Sequence, residues 1–266
     1  MRRLVVVGGV VLGLAVVSFG QGHAAPAAGS MYIRGGFDYS GHSLDDLDHY
    51  TGIWNRTLLV SDMPAGFDNV GWAPGFEFEG GYHFTPELSA GIGFSYGKHS
   101  RKNASSATVN IGDAGALLRI SDDLGASISE ITGNVAYWPA AARGLFIGAQ
   151  AGMGFGKLTE DMALHFVSGD LGVDTTASGE FTGSGFVGGA FAGYQAEFGS
   201  GFSAFGKLGY KLRNLGKFKG RYHGEPADHD YAGLQDFLLT DSKKMEFNYS
   251  GMFFTVGLGV SFGGKR

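Results

Sequence analysis

Charged side chains recur at even spacings in a chain otherwise rich in glycine and apolar residues. Arg34 and Asp38 lie four apart, Glu77 and Glu79 two apart, and Lys207, Lys211 and Arg213 four and two apart. Glu130 precedes Asn134 by four. Even spacing puts side chains on one face of a strand. The positions between are bulky and apolar, as with Phe76 and Phe78 around Glu77, or Leu208, Tyr210 and Leu212 among the three bases. Acids and bases that converge in an enclosed space must pair, because an unpaired buried charge costs several kcal/mol. Counting from the turns places Glu79 and Lys207 at mid-height, with Glu77, Glu130, Lys211 and Arg213 above them. The expectation is an internal salt-bridge network. On these residues alone its role is to lock the interior.

Other motifs match on paper only. Gly93-Phe94-Ser95-Tyr96-Gly97 has the G-x-S-x-G spelling, but a nucleophile elbow needs a strand-to-helix turn and Ser95 sits inside an alternating strand. Gly183 to Gly188 spells G-x-G-x-x-G without a βαβ setting, so no dinucleotide site is expected. Asp45, Asp46, Asp48 and His49 form one acidic run, and His223, Glu225, Asp228, His229 and Asp230 another. Such groups bind divalent ions in some proteins. Solvated acidic loops are far commoner, so neither a metal nor any cofactor is expected. No catalytic residue is assigned.

Period-2 alternation dominates and sustained helical periodicity is missing. Eight strands are predicted: Met31–Ser40, Gly75–Phe84, Glu87–Lys98, Ala126–Trp138, Gly144–Leu158, Gly183–Phe198, Gly201–Phe218 and Glu246–Phe262. In strand four Ile128 falls on the polar face, which suggests a bulge. The links after strands two, four and six are short. Those after strands one, three, five and seven run Gly41–Pro74, His99–Gly125, Thr159–Thr182 and Lys219–Met245. Short and long links in alternation sort the two ends of a membrane barrel, with short periplasmic turns and long extracellular loops. "YTGIWNRTLLV" in the first long link is unusually apolar for solvent, and reads as a strand extension or a contact surface.

The chain has 266 residues, 48 glycines, no cysteine and a formal charge of -5. That excludes disulfides and thiolate chemistry, and gives no basic footprint for nucleic acid. Residues 1–27 read as a secretory signal peptide: Arg2 and Arg3, an apolar stretch from Leu4 to Phe19, then small residues. Residues 28–266 are then the barrel domain, of formal charge -7 without those two arginines.

The closing strand "GMFFTVGLGVSF" shows what surroundings these faces want. Met252, Phe254, Val256, Leu258, Val260 and Phe262 form one face, and Gly251, Phe253, Thr255, Gly257, Gly259 and Ser261 the other. The bulky face suits lipid and the small face a crowded interior. A soluble barrel would reverse the two. Aromatics gather near the short turns (Tyr82, Phe84, Tyr137, Trp138, Phe198, Phe202, Phe262) and near the long links (Tyr39, Tyr96, Tyr210, Tyr249), as two interfacial girdles do. Phe146, Val187, Phe191, Phe205 and Phe253 point inward and favour a plug. The fold class is all-β, an eight-stranded antiparallel transmembrane barrel in up-and-down order.

Through "MYIRGGFDYS", "GFEFEGGYHFTPELSAGIGFSYG" and "GMFFTVGLGVSF", the chain resembles the small outer-membrane barrels: the OmpA transmembrane domain, opacity-type proteins and porin-family outer-membrane β-barrel proteins. The resemblance implies integral residence in a bacterial outer membrane, contact with its lipid and lipopolysaccharide, and delivery by the barrel-assembly machinery. It implies a structural or surface-interaction scaffold whose long loops meet an extracellular partner, or else a narrow porin-like channel in which exchange of partners among the lumen charges gates the ion path. Some such barrels are lipid-modifying enzymes or proteases, but no His-x-Ser pair lies near the last strands, and an enzyme is not expected. Family members commonly end on an aromatic that assembly reads; here Phe262 is followed by Gly263-Gly264-Lys265-Arg266.

Overall fold

The computed structural model describes residues 26–41, 73–111, 114–168, 171–198, 201–216, 218–224, 228–231 and 250–263. The leader 1–25, the "YTGIWNRTLLV" run, Asp45, Asp46, Asp48, His49, Glu225 and Tyr249 lie outside them, as do the side chains of His223, Asp228, His229 and Asp230.

Ten strands form: β1 (Ser30–Ser40), β2 (Ala73–His83), β3 (Leu88–Ile111), β4 (Ala114–Tyr137), β5 (Leu145–Ser168), β6 (Leu171–Glu197), β7 (Phe202–Asn214), β8 (Lys219–Gly224), β9 (Asp228–Tyr231) and β10 (Gly251–Gly263). Each of β1 to β6 pairs antiparallel with the next, β7 pairs with β10, and β10 pairs with β1. That last ladder runs from Ser30↔Gly263 to Ser40↔Phe253 and closes an eight-stranded barrel. Closure gives every backbone group in the wall a partner, the condition for a sheet to cross lipid.

Alternation decides which side each residue faces. Ile33, Phe37, Phe78, Ile92, Ile131, Leu212 and Leu258 lie on the outer wall, each more than half exposed. Their neighbours in sequence turn inward and are buried. The outward large residues form an apolar belt, with Tyr82, Phe84, Tyr137, Phe198, Phe202 and Phe262 near the short turns and Tyr39 and Tyr210 toward the other rim. Trp138 departs from the predicted girdle. Its side chain is buried in the lumen and its indole N–H donates to Ser89 Oγ at 3.1 Å.

Two predicted loops are largely strand. The β3–β4 ladder continues from Lys98↔Ser127 to Ile111↔Ala114, and the β5–β6 ladder from Leu158↔Phe181 to Ser168↔Leu171. Strands of 24 to 27 residues exceed the roughly 9–11 that a bilayer needs, so both hairpins rise well past the belt. There the alternation of apolar and polar residues fades, because lipid no longer touches one face. The predicted strand seven also differs. It stops at Asn214, and Leu215, Gly216 and Phe218 lie outside the ladders, at a bulge, before β8 joins β6 through Thr182↔Lys219. Gly216 takes the left-handed conformation (φ 63°) and its N–H donates to Asn214 Oδ1 at 3.1 Å. Four residues on this strand then face three on β6, a one-residue register gain. The β4 ladders are regular past Ile128, so the bulge expected there is not formed; Ile128 is simply buried in the lumen.

Candidate functional site in the barrel lumen

Every sequence-predicted site residue is inward and buried: Arg34, Asp38, Glu77, Glu79, Glu130, Lys207, Lys211 and Arg213. Four bases and four acids leave this set formally neutral. β1, β2, β4 and β7 supply them, and the glycine-rich inner faces of the neighbouring strands make the room. Gly154, for example, faces inward where an added Cβ would come within 2.7 Å of Val187 Cγ2 and 2.8 Å of Leu215 Cδ2.

The floor, at the short-turn end, is aromatic. Trp138 and Phe146 pack with ring centroids 4.7 Å apart, His83 lies 5.0 Å from Tyr32 and 5.5 Å from Trp138, and Phe146 lies 6.1 Å from Phe191. These rings surround Arg34, whose guanidinium carbon is 4.3 Å from the Tyr32 centroid and 5.2 Å from that of Trp138. A cation over desolvated ring faces is held by their quadrupoles. Its formal partner is Glu79, with Nη1 3.8 Å from Oε1, and Glu79 also accepts the Tyr32 hydroxyl at 2.7 Å.

Above the floor, Lys207 pairs with Glu77 and lies 3.8 Å from Glu79 Oε2. Its ammonium also stands 5.1 Å over Phe191. Higher still, Glu130 serves two cations. It accepts Lys211 at 3.0 Å and Ser95 at 2.6 Å on Oε2, and the Arg213 Nε–H on Oε1. Phe253 separates the two lysines, 5.7 Å from Lys207 Nζ and 4.8 Å from Lys211 Nζ. A hydroxyl relay completes this level: Arg213 reaches Ser40 Oγ at 3.5 Å, and Ser40 and Thr255 donate to Asp38 at 2.5 and 3.0 Å. The roof is apolar. Leu215, inward by the alternation of β7, and Phe218, turned inward by the bulge, close over Gly154 and Gly156 beside Ile128 and Val187.

Aromatic, charged and apolar side chains thus occupy the lumen from floor to roof, and its ion pairs join strands distant in sequence. Ser95, rejected as a nucleophile, is a hydrogen-bond donor to Glu130. Tyr32, Ser40 and Thr255 are partners that the sequence reading did not single out, although Tyr32 and Ser40 share the even spacing of Arg34 and Asp38 and Thr255 lies on the small face of β10. Glu160 on β5 is also buried; it falls in a segment the sequence reads as loop. Among the described residues, no group of three or more histidine, aspartate or glutamate side chains could hold a metal ion.

Closure, an apolar outer belt and a charged, filled lumen define an eight-stranded transmembrane barrel of the type that spans bacterial outer membranes. No family model matches the chain, and no curated protein matches it at the level of sequence. Among solved structures, the chain is similar to Ail, the attachment invasion locus protein of Yersinia pestis, at 13% identity and a TM-score of 0.39, covering 88% of this chain and 99% of that one. It is similar to the outer membrane protein OprG from Pseudomonas aeruginosa at 10% identity and 0.39, covering 89% and 97%. Acinetobacter baumannii CarO gives 11% identity and 0.35, covering 89% and 98%. At such identities and scores these neighbours lend no function, and the class rests on the barrel's own geometry.

Proposed function

We propose that this protein is a closed outer-membrane scaffold that works through what it raises above the membrane, without enzymatic activity. The observation that carries the reading is the filled lumen: an aromatic floor, cross-strand ion pairs and an apolar roof leave the interior to side chains. The material above the belt supports it. The extensions of β3 to β6, joined by β8 and β9, form one continuous sheet beyond the barrel. Surface elements on a rigid scaffold are where recognition concentrates. The test has two arms. Reconstituted in a planar bilayer, the folded protein is expected to be silent. Replacing residues 100–125 by a short turn is expected to abolish attachment of cells displaying it to a target cell surface, while heat-dependent gel mobility stays intact. Steady conductance from the intact protein, or attachment unchanged by the deletion, refutes the scaffold reading.

One observation favours a second reading, a narrow gated ion path. Arg34 Nη2, Glu77 Oε2, both ring nitrogens of His83, Asn134 Oδ1, Gln150 Nε2 and Gln195 Oε1 are buried without a protein hydrogen-bond partner. Buried polar atoms of this kind are usually served by water. Single-channel current that changes in Lys207→Ala would make the ion pairs a gate.

A further inference from the structure

The outer wall carries a polar row that the lumen does not explain. Ser127, Lys157, Thr182 and Lys219 are consecutive cross-strand partners on β4, β5, β6 and β8. Toward the short-turn end, the next outward row is Ser129, Phe155 and Ser184. The row after that is Ile131, Met153 and Phe186, all about half exposed and part of the belt. Three neighbouring strands thus pass from apolar to hydroxyl and ammonium side chains within four residues. The wall is concave here: an open groove of about 720 Å³ is lined by the hydroxyls of Ser127, Ser129, Thr182 and Ser184, with Lys157 and Lys219.

The bulge creates this arrangement. Plain alternation from Leu212 would send Phe218 to the outer wall and Lys219 into the lumen. The extra residue reverses both, so Phe218 is buried and Lys219 is exposed beside Thr182. Bulges often re-aim a side chain at a working position. On the adjoining outward row Glu180 pairs with Lys157 at 2.7 Å, both about half exposed, and lies opposite Arg221 in register. Among the described residues of these two rows, Lys157, Lys219 and Arg221 against Glu180 leave the groove positive, while Asp123 and Asp161 face each other one outward row further on.

Resting on the outer-membrane reading above, we propose that this groove seats the phosphorylated headgroup of an outer-leaflet lipid. The two ammonium groups and the flanking hydroxyls take the phosphate, and the acyl chains lie down the belt past Phe155 and Met153. Ammonium groups and hydroxyls are suited to phosphate oxygens, and a lysine close to an anionic membrane surface favours binding by a severalfold factor each.

The test is native mass spectrometry of the barrel in detergent micelles containing diphosphoryl lipid A or its dephosphorylated form. Wild type is expected to retain the diphosphoryl lipid in preference to the dephosphorylated one. Retention should fall by about tenfold or more in Lys157→Ala/Lys219→Ala. It should rise in Glu180→Gln, which releases Lys157 from its carboxylate. Equal retention by wild type and the double variant overturns the site. So does equal retention of the two lipids, or displacement of lipid A by millimolar inorganic phosphate, which would make the groove a plain anion site. Heat-dependent gel mobility is run on every sample; its loss in wild type would instead sink the outer-membrane reading itself.

Discussion

Glu130 is the position where the lumen network is most open to a quantitative test. It is 1% exposed and its two oxygens serve Lys211, Arg213 and Ser95. Glu130→Gln removes one charge and almost no volume, so cavity effects are small. At 3.0 Å and an effective dielectric near 20, the Lys211 pair alone is worth roughly 5 kcal/mol of attraction. Neutralising the acid returns several kcal/mol of its desolvation but leaves two buried cations facing each other. Breaking a buried pair from one side costs about 3–5 kcal/mol on balance. That loss should appear as a lower urea midpoint, followed by disappearance of the heat-modifiable gel band in micelles. The companion variant Glu130→Gln/Lys211→Met removes the surplus cation and should recover at least half of the loss. A single-variant change under about 1 kcal/mol, or strict additivity in the double variant, would refute the claim that these groups form one unit.

Three further outcomes are expected. Phe146→Ala deletes a ring that is 1% exposed and packs on Trp138; it should cost about 3–5 kcal/mol in the same unfolding assay. Gly154→Ala drives a methyl against Val187 and Leu215 and should lower stability by about 1–3 kcal/mol, with a smaller loss in Gly154→Ala/Leu215→Ala. Leu258→Arg, at a 63% exposed position near the middle of β10, should cost about 2–4 kcal/mol in lipid vesicles; a neutral result would mean that this wall does not face hydrocarbon.

The barrel and its charged interior were legible because alternation is strict wherever one face meets lipid. Glu77 and Glu79 sit between Phe76, Phe78 and Gly80, and Lys207 to Arg213 between Leu208, Tyr210 and Leu212, so sidedness follows from counting by two. The same count would have placed Trp138 with Glu130 and Asn134 inside the lumen; its position near a turn was given more weight than its parity. The hairpin extensions were not legible. From His99 to Ile111 hydroxyl, amide and charged residues occupy odd and even positions alike, so no period separates strand from loop. The bulge at 215–218 was hidden for a different reason. Its cue is local, an Asn214 side chain turning to the Gly216 N–H, and it reverses parity without breaking the apolar pattern, because Phe218 reads as a wall residue until the ladder with β6 is known.

Why the lumen carries charge at all follows from register. A buried ion pair stabilises no more than a well-packed hydrophobic pair of the same size, and often less, so the network is a poor explanation of stability. Its effect on alternatives is larger. A strand apolar on both faces could slide by one residue at little cost, whereas a slip by one reverses every side chain. In β7 such a slip would drive Lys207, Lys211 and Arg213 toward lipid, at about 2–4 kcal/mol each near the midplane. It would also push Leu208, Tyr210 and Leu212 into a lumen already packed around Phe253. Because Glu77 and Glu79 on β2 and Glu130 on β4 wait for those cations, the charges choose one register for strands far apart in sequence. The interior is thus a key to assembly, whether or not ions ever pass it.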